Sequence, residues 1–144
     1  MATSIRPALL STEVIELLKE LKLPTEDLLE RPDRAIFHAV FEDHELCGVV
    51  AMEPHGHLAL LRSLAVKRQH QRNGFGQALV AHAIEVARKS GIEVVYLLTT
   101  SSSHFFQGVG FSIVARDAVP IQIRETSQFS TLCPATCAVM RKEL

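Results

Sequence analysis

A chain of 144 residues, 47% apolar and 22% charged, has the size and composition of one globular domain with a core of its own. Its formal net charge of -1 argues against a nucleic-acid binder, and no apolar segment approaches the length of a membrane span or follows a basic stretch at the N-terminus. Cys47, Cys133 and Cys137 are an odd number of cysteines in apolar surroundings, which argues against a disulfide framework and leads us to expect a cytoplasmic protein with reduced thiols and no nucleic-acid or membrane partner.

Residues 4–8 read as a short strand, with Pro7 tolerable at an edge. From Ser11, a plausible N-cap, Val14, Leu17, Leu18 and Leu21 recur at helical spacing until Pro24 stops the helix. Thr25 is placed to cap a second short helix through Glu26, Asp27, Leu28 and Leu29, and Arg31-Pro32-Asp33 is a turn. Strands over 35–41 and 46–52 form a hairpin around Glu42-Asp43-His44-Glu45, and Glu53-Pro54-His55-Gly56-His57 is expected as a second turn before a long strand over 58–66.

That strand runs into the basic, glycine-bearing loop Gln71-Arg72-Asn73-Gly74-Phe75-Gly76, followed by a helix with Leu79, Val80, Ala83, Ile84 and Ala87 on one face, Arg88 and Lys89 in its last turn, and Gly91 beyond. Unpaired N–H groups and the positive end of the macrodipole make such a helix start an anion site. Lys67, Arg68 and Arg72 add charge suited to a polyphosphate, although so short a charge run also reads as a solvated loop. A dinucleotide fingerprint is excluded by the absence of a third glycine and of an acidic residue near Tyr96-Leu97-Leu98; a phosphate-binding Gly-Lys-Ser or Gly-Lys-Thr is also missing. A strand over 94–100, a short helix over 102–107, a return strand over 111–114 and a closing strand near 136–141 complete the reading. The strand, crossover helix and parallel strand from Leu58 to Thr100 form one right-handed unit.

Together, Leu64-Ala65-Val66, the glycine loop and the later Phe105-Phe106-x-x-x-Gly110-Phe111 resemble the acetyl-CoA site of the GCN5-related N-acetyltransferase (GNAT) superfamily. The resemblance implies an α/β fold with a mixed, twisted sheet flanked by helices, and acetyl-CoA in a split between two central strands. It assigns pyrophosphate binding to Gln71, Arg72, Asn73, Gly74, Phe75 and Gly76, and pantetheine contacts to Leu64, Ala65 and Val66. The position of the family's frequent acid, a tyrosine on the CoA side, is held by Phe106, so water or a hydroxyl among Ser101, Ser102 and Ser103 is left to protonate the thiolate.

Direct attack of an amine on the thioester needs a base and an oxyanion donor. Glu53, at the end of the strand beside the acyl-bearing one, is the first candidate base; an exposed turn glutamate is the alternative reading, and His55 and His57 compete with it. Two histidines without further placed ligands are not a zinc signature, so no metal is expected. The backbone N–H of Val66 or Leu64 is the candidate oxyanion donor. In an unbulged strand Arg62 shares a face with Leu64, near the reaction centre, where its fork suits a substrate carboxylate; pairing with a structural acid is an equal alternative, and Arg124 and Thr126 offer similar polar groups.

Leu61-Arg62-Ser63-Leu64-Ala65-Val66, Leu98-Thr99-Thr100 and Phe129-Ser130-Thr131-Leu132-Cys133-Pro134 are similar to a narrower branch: amino-acid N-acetyltransferases of the N-acetylglutamate synthase type and small acetyltransferases found with arsenic-resistance genes. The branch implies an acceptor that is a small-molecule amine, the α-amine of an amino acid or an amino-acid-like toxin, and the family implies a homodimer through the C-terminal strands. A protein or peptide N-acetyltransferase and a non-catalytic CoA-binding sensor are the alternatives.

Overall fold

A computed structural model describes residues 3–132 and 137–144. In chain order the elements are β1 (Thr3–Ala8), α1 (Thr12–Glu20), α2 (Glu26–Glu30), β2 (Ile36–Glu42), β3 (Glu45–His55), β4 (Leu58–Val66), α3 (Phe75–Lys89), β5 (Val94–Thr99), α4 (Ser103–Gly108), β6 (Ser112–Val114), α5 (Ile121–Arg124) and β7 (Ala138–Glu143). The strands make one seven-stranded sheet in the order β1-β2-β3-β4-β5-β7-β6. β1 to β4 form an antiparallel meander, β4 and β5 are parallel through the α3 crossover, and β7 enters antiparallel between β5 and β6.

Sequence chemistry accounts for most of these elements. Ser11 Oγ accepts the Val14 N–H at 3.3 Å and so starts α1, which buries Val14, Leu17 and Leu18. Thr25 does not cap α2 with its side chain; its own N–H instead donates to Glu26 Oε2. The predicted stripe Leu79, Val80, Ala83, Ile84 and Ala87 is the buried face of α3 and packs with Val50, Leu61 and Leu97. On the opposite side of the sheet, α1 and α2 cover Val49, Ala51 and Ala65, and Ile123 of α5 packs with Leu60, Tyr96 and Val139. Among the described residues no helix is long and apolar enough to cross a membrane.

The expected five-residue turn after Met52 is corrected. β3 continues through Glu53, Pro54 and His55, which pair with Leu60, Ala59 and Leu58, and only Gly56 and His57 make the turn, with Gly56 at φ +66°. Pro54 fits because β2 pairing ends at Ile36–Met52, so β3 has no β2 partner at Pro54 that would need its missing N–H. Residues 116–132, read from sequence without helices, contain α5 and short helical turns. Cys133, Pro134 and the start of the predicted closing strand lie outside the described residues; Cys47 and Cys137 are buried.

A bulge re-aims β4 near the cleft. Against β3, Ala65 pairs with Val49 but Arg62 pairs with Ala51, so β4 carries an extra residue at Ser63–Leu64, with Ser63 at φ +58°. Alternation is thereby reset: Arg62 bonds to Asp27 of α2, whereas Leu64 packs with the α3 cluster. The expectation that Arg62 and Leu64 share a face held only for an unbulged strand, and this bulge overturns it.

Candidate active site

Pairing between β4 and β5 is confined to Leu58–Val94, Ala59–Val95 and Leu60–Tyr96. Beyond Leu60 the strands part around a cavity of about 760 Å³. Its walls come from residues 61–66 of β4, 97–102 at the end of β5, Phe105 and Phe106 of α4, residues 21–24 between α1 and α2, Gln71 and Gln128.

Val66 presents its main chain to the open edge of this split. The Lys67 N–H donates to the Cys47 carbonyl on β3 at 2.8 Å, so strand alternation turns the Val66 amide the other way, toward the side β5 has vacated. The Val66 carbonyl accordingly accepts a bond from Gln71 Nε2 at 3.0 Å, and both residues line the cavity. This bond ties the glycine loop to the end of β4.

Arg72 at φ +68° and Gly74 at φ +81° bend the loop into α3. Gly74 is the N-cap and supplies no side-chain oxygen, so the amides of the first turn are uncapped by side chains; the first helical bond runs from Ala78 N–H to the Gly74 carbonyl. Phe75 anchors the loop in the core while Gln71, Arg72, Asn73 and Gly74 remain exposed. A Cβ on Gly76 would meet Phe105 Cζ at 3.3 Å, so bareness at this position lets the helix start lie against the aromatic wall. Phe106 is buried, edge-on to Phe105 and Phe111 at centroid distances of 5.1 and 5.9 Å.

Behind the β4 wall lies an ion network. Arg62 Nη1 and Nη2 donate to Asp27 Oδ2 and Oδ1 at 2.6 and 2.9 Å, and Nη1 also donates to Glu53 Oε1 at 3.0 Å. Glu53 Oε2 lies 2.6 Å from His55 Nε2, and Arg34 Nη1 approaches Asp27 Oδ2 at 3.9 Å. Burial works against the Arg62 charge, but the Asp27 and Glu53 bonds more than offset it and raise its pKa further. Glu53, side chain 1% exposed, is therefore no solvated turn glutamate, and His55, 28% exposed, connects it toward solvent.

The network uses the end-on fork of Arg62 on Asp27 and its second Nη1–H on Glu53. The Arg62 Nε is buried with no hydrogen-bond partner and the residue borders the cavity, so of five N–H donors the Nε–H and the second Nη2–H remain. Arg124 is exposed at the end of α5 and is not among the wall residues; Thr126 is buried with its hydroxyl donating to the Ile123 carbonyl, and it is Gln128 that reaches the wall. Ser101 and Ser102 line the cavity and Ser103 does not. His57 is exposed near Glu93, away from this network.

Sequence reasoning missed Asp27 as the partner of Arg62, and Lys22 and Gln128 as wall residues. Asp27 looks like an ordinary first-turn acid of a short helix, and nothing local marks Lys22 or Gln128. Their roles arise from chain segments far apart in sequence.

The site thus combines a strand split with exposed main chain, a glycine-bent loop and a helix N-terminus uncapped by side chains. A sequence profile described as the Acetyltransferase (GNAT) family matches residues 4–111, and the chain belongs to this family. The fold, with acetyl-CoA as the family's cosubstrate, is the expected one.

Among its relatives, an amino-acid acetyltransferase of Yersinia pseudotuberculosis is 30% identical over 79 residues, or 55% of this chain; the match spans only 18% of that protein's length. The N-acetylglutamate synthase of Neisseria gonorrhoeae, solved with coenzyme A and L-arginine, superposes with a TM-score of 0.79 at 26% identity over 99% of this chain and 33% of that one. A Bacillus subtilis acetyltransferase in complex with CoA gives 0.75 at 25% identity over 99% of both chains.

Proposed function

We propose that this domain is an N-acetyltransferase whose acceptor is a small amine bearing a carboxylate or similar anion, an α-amino acid or an amino-acid-like toxin. The observation that carries this reading is the polar character of the cavity wall, which has the Lys22 ammonium, the Arg62 Nε–H and, among the described residues, no acidic member. A polyamine would meet like charge at Lys22, whereas the carboxylate of an amino acid meets that ammonium and the Arg62 Nε–H; the Arg62 charge itself is balanced by Asp27 and Glu53 behind the wall. The name of the Yersinia relative, amino-acid acetyltransferase, supports the same class.

The residues present suit acetyl-CoA, which supplies an activated acetyl thioester. Residues 71–76 would hold the pyrophosphate with main-chain amides and the Arg72 charge, and Leu64, Ala65 and Val66 would pair with the pantetheine arm along the open edge of β4. The Val66 N–H is the oxyanion donor in this reading, held in place by the β3–β4 ladder. Glu53 takes the proton from the acceptor through water at the Arg62 wall, and His55 passes it toward solvent across the 2.6 Å contact. Arg62 positions Glu53 and offers its Nε–H to the acceptor. Ser101, Ser102 or water returns a proton to the departing thiolate, since Phe106 has none to give.

Thiol release from acetyl-CoA with free amino acids, phosphinothricin-like and arsinothricin-like amino acids, polyamines and amino-terminal peptides tests this assignment. Selective turnover of α-amino acids, with KM raised in Lys22→Met, is the expected result. Turnover of peptides or polyamines alone refutes the acceptor class. Silence across the panel, with CoA binding seen by calorimetry, favours the sensor reading that Phe106 keeps open.

A further inference from the structure

A second cluster of reactive side chains lies outside the cavity, where β3 meets the turn that leads into the anion loop. One Glu45 carboxylate oxygen, the Cys47 Sγ and one ring nitrogen of His70 all lie within 4.8 Å of one another. Their backbone supports are defined. Leu46 and Gly48 pair with Phe41 and Val40, so Cys47 is the extra residue of a bulge on β3. Its carbonyl accepts the Lys67 N–H at 2.8 Å, and the Lys67 carbonyl accepts the His70 N–H at 2.8 Å. The three donors are thus carried by two segments joined through Lys67.

We propose that Glu45, Cys47 and His70 form a binding site for a zinc-like divalent cation at the entrance to the anion loop. A thiolate, an imidazole and a carboxylate are a donor set for tetrahedral zinc, with metal–ligand lengths of about 2.0–2.3 Å. Water takes the fourth position on the side of Glu45, the exposed member; Cys47 is buried and His70 half-buried. Hard cations such as magnesium are disfavoured by the sulfur.

His70 Nε2 and Glu45 Oε2 are hydrogen-bonded to one another at 2.6 Å. The cation enters by parting this pair. His70 then ligates as neutral imidazole and Glu45 as carboxylate, while the Cys47 S–H bond is replaced by a metal–sulfur bond and its proton is released to solvent. In the metal-free protein the Cys47 thiol donates to the Glu45 carbonyl at 3.4 Å.

The location gives occupancy a consequence. His70 directly precedes Gln71, and its ring lies 6.1 Å from that of Phe75, the residue that anchors the loop in the core. A bound cation would clamp the turn from which the loop departs.

Titration of the metal-free full-length chain with cobalt(II), followed by absorption, tests the site independently of acetyl transfer. One cobalt per chain with a sulfur-to-cobalt charge-transfer band, displaced by zinc, is the expected result. Cys47→Ser should abolish the band, and the presence of Cys133 and Cys137 in that variant makes the loss specific. Since Cys47 is fully buried, His70→Gln on the more open turn serves as a second variant, its fold checked by circular dichroism. It should bind cobalt about tenfold or more weakly, because one of three protein donors is gone. Zinc should raise the melting temperature of the parent protein and not that of His70→Gln. Absence of the band at millimolar cobalt, or a band unchanged in both variants, overturns the proposal.

Discussion

Glu53 of β3 and Arg62 of β4 meet diagonally across an antiparallel pair, with Nη1 3.0 Å from Oε1 and each side chain 1% exposed. The guanidinium that closes one wall of the cavity thereby orients the carboxylate behind it. Glu53→Gln keeps the volume and leaves Arg62 on Asp27, so turnover should fall by about 10²- to 10⁴-fold. CoA affinity, measured by calorimetry, should not change. Equal loss of both, or full activity, removes Glu53 from the role of base. Arg62→Met instead strands Asp27 and Glu53 without their shared cation and should destabilise the fold by about 3–5 kcal/mol in urea titration.

Gly48 of β3 has no room for a side chain against β4. A Cβ there would lie 2.8 Å from the Ala65 carbonyl oxygen, a backbone atom that cannot swing aside, with Leu79 and Val66 side chains at 3.2 Å. Gly48→Ala should cost about 1–3 kcal/mol as overpacking. Because Ala65 belongs to the cleft strand, the same variant should weaken CoA binding, and an unchanged melting temperature would show that the ladder yields freely.

Gly74 starts α3 at φ +81° with open space where a Cβ would go, so any effect of substitution comes from backbone strain. Gly74→Val places a β-branched residue in the left-handed region at a cost of about 1–2 kcal/mol. Relaxation of the turn would misdirect the amides of Phe75 and Gly76. The expected signature is a larger loss in CoA affinity than in stability, read by calorimetry beside thermal unfolding.

His38 of β2 packs edge-on against His82 of α3, with ring centroids 4.6 Å apart. Burial, followed by the neighbouring His82 charge, holds the His38 pKa below 6.5. The unfolded chain therefore binds more protons than the folded one as pH drops through 6.5. This contribution to stability is complete above 6.5 and is lost on acidification toward the lower folded value. Denaturant titrations across that window should give a shallower pH slope for His38→Gln than for the parent; identical slopes would exclude His38 as the source.

The donor side of the site was legible because it is local. A strand end, a glycine turn and an amphipathic helix lie within residues 58–89, and strand pairing, helix capping and apolar periodicity act over such distances. The extent of β3 was not legible, since Glu53, Pro54 and His55 look like a turn until Leu58, Ala59 and Leu60 pair with them. The metal-donor trio was also invisible: Glu45-x-Cys47 and a histidine over twenty positions later match no ligand spacing, and only a bulge and the Lys67 hydrogen bonds bring them together.

Read alone, the sequence determined the fold class, the position of the glycine loop and the buried face of α3, because alternation, helical spacing and glycine placement are covalent properties of short segments. Tertiary structure decided the rest. A one-residue bulge at Ser63–Leu64 turned Arg62 away from Leu64 and onto Asp27 and Glu53, and divergence of β4 from β5 opened the cavity. Strand register and the pairing of buried charges depend on which distant segments meet, and a one-residue shift reverses the face of every side chain beyond it.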